Sequence, residues 1–143
     1  MTYEEFLKRL AQCKTGSAEE QAYATSVLKP YRVKNAVLMA AGYGSRLAPL
    51  TNRVPKGLLQ IRGEILVERQ IRQLLEAGIE EIFLVVGHLK EQFSYLASNP
   101  HIHIIENPDY THYNNISSLY RVLDILDNTY ICSADNYFTE NVF

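Results

Sequence analysis

The stretch from Leu38 to Leu59, LMAAGYGSRLAPLTNRVPKGLL, gathers the residue types that handle phosphate. Gly42 and Gly44 flank a single residue directly after an apolar run, Ser45 and Arg46 follow, and Lys56 stands behind Pro55. Small residues at Ala40, Ala41 and Gly42 let a backbone lie close against a nucleotide. Gly44 and Ser45 can turn N–H groups into a concave anion cradle. Arg46 brings a planar fork suited to the β- and γ-phosphates. Lys56 brings a point charge toward the α-phosphate, where negative charge grows during transfer. That set of parts suits nucleotidyl transfer with pyrophosphate as the leaving group.

Two more familiar phosphate loops fit less well. A Walker A loop needs GxxxxGK[ST], whereas Lys56 precedes its glycine and no Ser or Thr follows. A dinucleotide fingerprint needs GxGxxG, and Leu47 holds the third position. Glu64 stands at about the ~20-residue distance where that fingerprint wants an acid, so the reading survives in part. It leaves Arg46 and Lys56 without a task, because a pyrophosphate on a helix N-terminus needs neither.

Other reactive residues read more plainly. His101 and His103 alternate along one apolar run and His112 follows, with no Cys or acid placed to complete a metal site, so they read as ordinary strand histidines. His88 follows Gly87 and reads as a polar rim or a base contact. Tyr110 and Tyr113 offer aromatic faces to a quaternary ammonium group or serve as a packed lid. Ile61-Arg62-Gly63-Glu64 reads as a tight turn.

Alternating strands and helices must position these groups. NAVLMA, IEEIFLVVG, HIHIIEN and TYICSAD read as buried strands. ILVERQIRQLLEAG is amphipathic, with Ile65, Leu66, Ile71, Leu74 and Leu75 inward and Gly78 closing it. LKEQFSYLAS and NISSLYRVLDIL read as further helices. Such alternation with short links predicts an α/β fold, a Rossmann-like parallel sheet with helices on both faces. Ligands in such sheets sit beyond the carboxyl ends of the strands, where Gly42, Gly87, Asn107 and Asp135 all fall. Residues 1–32 differ. TYEEFLKRLAQCK and GSAEEQAYATSVLK read as two helices capped by Thr2 and Ser17, a helical extension with balanced charge and no recognition helix. Residues 33–143 hold the alternating strands and helices and are expected to form the nucleotide-binding unit.

Composition sets the outer bounds. The chain has 143 residues, a formal charge of −2 and 47% hydrophobic residues. That is one globular domain's worth with no basic field to attract nucleic acid. Two distant cysteines, Cys13 and Cys132, and no long apolar span give the expectation of a reduced, cytoplasmic protein without a membrane span.

The opening stretch resembles the signature of the sugar-phosphate nucleotidyltransferase superfamily, G-x-G-[ST]-R-[LM]-x-P-x-T-x-x-x-P-K. Gly42, Gly44, Ser45, Arg46, Leu47, Pro49, Thr51, Pro55 and Lys56 match in register. GEILVERQIRQLLEAGIEEIFLVVGHLKEQF, ENPDYTHYNNISSLY and TYICSADNYF look more narrowly like the bacterial CTP:phosphocholine cytidylyltransferases. The resemblance implies a nucleotide held by Ala40 to Arg46, Tyr43 included, with Lys56 on phosphate and Gly87, Asn114, Asn115 and Ser117 lining base and ribose. It implies Mg²⁺ on Asp135, which by itself would read as a helix cap. It implies CTP and phosphocholine as substrates, with a hexose-1-phosphate nucleotidyltransferase or a non-catalytic nucleotide-binding module as alternatives. Family domains run past Phe143, through the acceptor pocket and a second aspartate. The expectation is therefore a fragment that binds nucleotide, does not turn over alone, and self-associates through an exposed sheet edge.

Overall fold

A computed structural model describes all residues, Met1–Phe143. The chain divides into two compact units, Met1–Arg32 and Val33–Phe143.

The first unit is a helical hairpin of α1 (Tyr3–Thr15) and α2 (Ala18–Leu28). Each begins with a complete capping box, Thr2 with Glu5 and Ser17 with Glu20, which satisfies N–H groups that a free helix end would leave open. Arg9 lies over the Tyr23 ring and Phe6 meets Tyr31 edge-on.

The second unit is an α/β layer. β1 (Asn35–Ala40) runs into the glycine loop, and a short hairpin, β2 (Gln60–Ile61) and β3 (Glu64–Ile65), follows. Its two turn residues, Arg62 and Gly63, both have positive φ, as a tight hairpin turn requires. Then come α3 (Leu66–Glu76), β4 (Ile82–Val86), β5 (Ile102–Glu106), α4 (Asn115–Tyr120) and β6 (Thr129–Ser133). The four long strands form one parallel sheet in the order β5-β4-β1-β6. β1 and β4 are the inner strands. β6 pairs with β1 alone and forms an outer edge of this sheet, with Ile131 exposed.

Alternation along β1 explains the two cores. Ala36, Leu38 and Ala40 pack with Val67, Ile71 and Leu74 of α3 and with Phe93 on one face. Val37 packs with Val85 and Val122 on the other. Burial on both faces makes β1 and β4 almost continuously apolar, the pattern of an inner parallel strand. No helix is long and apolar enough to cross a membrane.

Two helices differ from expectation. Lys90–Ser98 winds as a 3₁₀-helix. The Ser94 and Ser98 hydroxyls donate to the carbonyls three residues earlier, Glu91 and Tyr95, which matches the tighter three-residue turn. The segment after Asn114 breaks into α4 and a 3₁₀ turn, Leu123–Ile125, because Val122 leaves helical geometry to enter the core.

Candidate active site

All four parallel strands end at one edge, and the candidate residues gather there. Gly44 takes a left-handed conformation, φ +65°, and a Cβ on it would come within 3.0 Å of Thr51 Cγ2. Both facts favour glycine. The turn runs on through Ser45–Leu47, with Leu47 N–H donating to Gly44 O at 2.9 Å. Thr51 is buried and donates its hydroxyl to the same carbonyl at 3.0 Å, so the loop is tied across its own mouth.

Lys56 opens a 3₁₀ turn after Pro55. Gly57 beside it is buried, and a Cβ there would lie 3.3 Å from that of Ala134. This close approach sets Lys56 next to Asp135, and their side chains form an ion pair. Asp135 follows β6, anchored by Ala134 N–H donating to Met39 O at 3.1 Å, and it accepts the Ser133 hydroxyl as well. Burial acts to raise the Asp135 carboxyl, but hydrogen bonds from Lys56 and Ser133 outweigh it and hold it below the ordinary 3.8.

Two clefts open here. The first, about 230 Å³, is lined by Gly42, Gly44, Arg46, Lys56, Asn115 and Asp135. The second, about 430 Å³, is lined by Ala41, Tyr43, Ser45, Tyr110, Asn114 and Ser117, among others. Charge is confined to the first, which suits a phosphate tail. The second is larger, uncharged and aromatic, which suits a nucleoside. Arg46 has no hydrogen-bond or ion-pair partner and is exposed toward the first cleft.

The structure brings together Ala40, Ala41, Gly42, Tyr43, Gly44, Ser45, Arg46, Lys56, Asn114, Asn115, Ser117 and Asp135 around these clefts. Gly87 is the exception. It does not line either cleft, because the Tyr110 ring packs directly on it. A Cβ at Gly87 would sit 2.7 Å from that ring and 2.8 Å from Ala41 O. His88 is not at the rim either: it is buried, 8% exposed, and stacked on Tyr43 at 4.3 Å. Glu64 is spent on Arg69 and Arg72, so it has no free oxygen fork for a ribose. His103 stacks on Phe83, and no cluster of three His, Cys, Asp or Glu side chains stands ready to hold a metal.

Sequence reasoning missed Gln70, and it placed Asn107 at this edge without giving it a role. Gln70 is fully buried and its amide donates to Ser133 O and Asn136 O, both at 3.0 Å, straddling Asp135. A polar residue on the apolar face of α3, between Val67 and Leu74, was its signal. Asn107, also buried, donates to Ser117 Oγ at 2.9 Å and Ser118 Oγ at 3.1 Å, tying the end of β5 to α4.

The model of the MobA-like NTP transferase domain matches residues 36–142. The chain belongs to this family. Among relatives, the choline-phosphate cytidylyltransferase of Streptococcus pneumoniae is 45% identical over 108 residues, 76% of this chain and 47% of that protein. The 2-aminoethylphosphonate cytidylyltransferase of Lancefieldella rimae is 48% identical over 104 residues, 71% of this chain and 42% of that one. The chain thus spans about half the length of the curated relatives it matches. The solved structure of the S. pneumoniae CTP:phosphocholine cytidylyltransferase superposes with a TM-score of 0.75 at 45% identity, over 78% of this chain and 49% of that one. The inositol-1-phosphate CTP transferase of T. maritima shares the fold, with a TM-score of 0.61 at 23% identity, over 72% and 44%. Within this family fold the matched span covers the glycine loop, the lysine turn and Asp135.

Proposed function

We propose that this chain is the nucleotide-binding half of a cytidylyltransferase, which moves CMP from CTP to a small phosphorylated acceptor and releases pyrophosphate. The observation that carries it is the meeting of Lys56 and Asp135 beside a glycine turn that also presents Arg46. In this reading the triphosphate lies in the charged cleft and the nucleoside in the aromatic one. An acceptor phosphate oxygen attacks the α-phosphorus, the new P–O bond forms in line, and the bond to the β-phosphate oxygen breaks. A phosphate dianion is already a nucleophile, so no side chain need take a proton. Arg46 grips the outer phosphates, and Lys56 neutralises charge growing at the α-phosphate.

The donor set suits Mg²⁺. Asp135 gives one carboxylate, and each of its oxygens keeps a lone pair beyond the one used by Lys56 or Ser133. Mg²⁺ is held by one or two carboxylates plus phosphate oxygens and water, so a single Asp is enough from this side. When bound, the ion supplies charge neutralisation to the phosphates.

The acceptor we favour is phosphocholine or another small amine-bearing phosphorus oxyanion, since the two relatives carry choline-phosphate and 2-aminoethylphosphonate in their names. Transfer assays on the protein carrying this chain, with CTP against each acceptor, test it. CDP-choline or its phosphonate counterpart supports the reading. Products only from UTP or dTTP with hexose 1-phosphates would replace it with the hexose branch. Nucleotide binding with no transfer to any acceptor would favour a binding module.

A further inference from the structure

His88 is a buried polar side chain with no part in the chemistry just described. Its backbone N–H donates to Ala41 O at 3.0 Å, which fixes it at the end of β4. Its ring Nε2 lies 2.8 Å from Thr51 O. A carbonyl can only accept, so Nε2 carries a proton and donates it. One ring face lies on Tyr43, with centroids 4.3 Å apart and planes 28° apart.

Thr51 passes the connection on. It is 1% exposed, its hydroxyl donates to Gly44 O at 3.0 Å, and its methyl fills the space where Gly44 lacks a Cβ. Gly44 is the left-handed residue whose turn aims the loop's N–H groups at the charged cleft. A relay of two hydrogen bonds thus runs from the end of β4, through Thr51, to the one residue that shapes the phosphate cradle. The same ring props Tyr43 at the entrance of the neighbouring cleft.

We propose that His88 is a positioning residue: in its Nε2–H form it holds the glycine loop in the shape that receives a triphosphate. The inference rests on reading that loop as a nucleotide site. It assigns His88 no contact with substrate. Losing the donor would leave the buried Thr51 carbonyl unpaired and free the loop to relax away from φ +65° at Gly44. The cost should fall on phosphate binding, because the nucleoside cleft draws on α4 and Tyr110 as well.

Two substitutions separate the parts. His88→Gln keeps an N–H donor near the position of Nε2 and loses the stack. His88→Phe keeps the stack and loses the donor. Binding of CTP and of CMP, each with Mg²⁺, is measured by titration calorimetry on the 143-residue chain, beside thermal unfolding. H88F should bind CTP about tenfold more weakly, the scale of one buried hydrogen bond, and CMP nearly as wild type. H88Q should recover most of the CTP affinity. Thr51→Val, which breaks the relay at its second step while keeping its shape, should repeat the H88F pattern. Should H88F fail to fold, T51V carries the same test. Long-range ¹⁵N spectra of the wild type should show His88 as the Nε2–H tautomer. Unchanged CTP binding in folded H88F or T51V overturns the proposal, as does an equal loss for CTP and CMP, or an Nδ1–H tautomer. A wild-type chain that binds no nucleoside triphosphate overturns the nucleotide reading itself, and the proposal with it.

Discussion

Lys56 and Asp135, 79 residues apart in sequence, are joined side chain to side chain at the mouth of the charged cleft. In this pair each neutralises the other. Both have work elsewhere in the proposed reaction, the lysine on phosphate and the aspartate on a divalent cation, so arrival of one substrate charge should release the partner. A divalent ion alone meets an aspartate already paired with a cation.

Removing the lysine should therefore strengthen metal binding. The pair is partly exposed, at 39% for the Lys56 side chain and 20% for Asp135, and such pairs are worth ~1 kcal/mol, or about fivefold. Lys56→Met should raise Mn²⁺ affinity without nucleotide by about that factor, read by electron paramagnetic resonance, and lower CTP affinity. Weaker or unchanged Mn²⁺ binding would contradict the shared role.

Arg46 has no partner to release, so its substitution should act differently. Arg46→Ala should leave metal binding alone, weaken CTP by roughly one charge-assisted hydrogen bond, about tenfold or more, and barely affect CMP. Calorimetry with both nucleotides checks it. A loss of equal size for CMP would move Arg46 off the outer phosphates.

The pH response of the pair has a definite sign. Because the folded-state value of Asp135 lies below 3.8, its pairing contributes stability above the unfolded value and loses it as pH falls through the lower folded one. Mn²⁺ binding to the wild-type chain should then show no Asp135 titration between about pH 5 and 8. A midpoint inside that window, absent in Asp135→Asn, would contradict the assignment.

Gln70 gives a prediction about support rather than contact. Gln70→Leu leaves the Ser133 and Asn136 carbonyls without their buried donor. Urea unfolding should show a loss of ~1–3 kcal/mol, with weaker Mn²⁺ binding as the turn carrying Asp135 loosens. Unaltered Mn²⁺ affinity in a destabilised variant would reduce Gln70 to packing alone.

Much of this site is legible in the sequence alone. The ends of the predicted strands placed Gly42, Gly87, Asn107 and Asp135 at one sheet edge, because a parallel sheet leaves little choice about where strands end. The spacing of Pro55 and Lys56 gave residue types but no direction. That Lys56 turns to Asp135 depends on Gly57 lying against Ala134, a contact between segments far apart in sequence. Gly87 misled because a glycine after a strand reads equally as a ligand wall or as room for a neighbour's ring, and here the ring is that of Tyr110. The helix after Leu89 shows the same limit: its apolar spacing suits an α-helix and a 3₁₀-helix alike.

Nucleotide position is the claim on which the rest stands, and amide chemical-shift mapping of the ¹⁵N-labelled chain with Mg·CTP tests it most directly. The largest shifts should fall on Gly42–Arg46, on Lys56 and Gly57, and on Asn114–Ser117, with UTP, ATP and GTP giving smaller effects at equal concentration. Shifts centred elsewhere, such as the groove between Glu68 and Ile102, or none in the glycine loop at saturating CTP, would contradict the account.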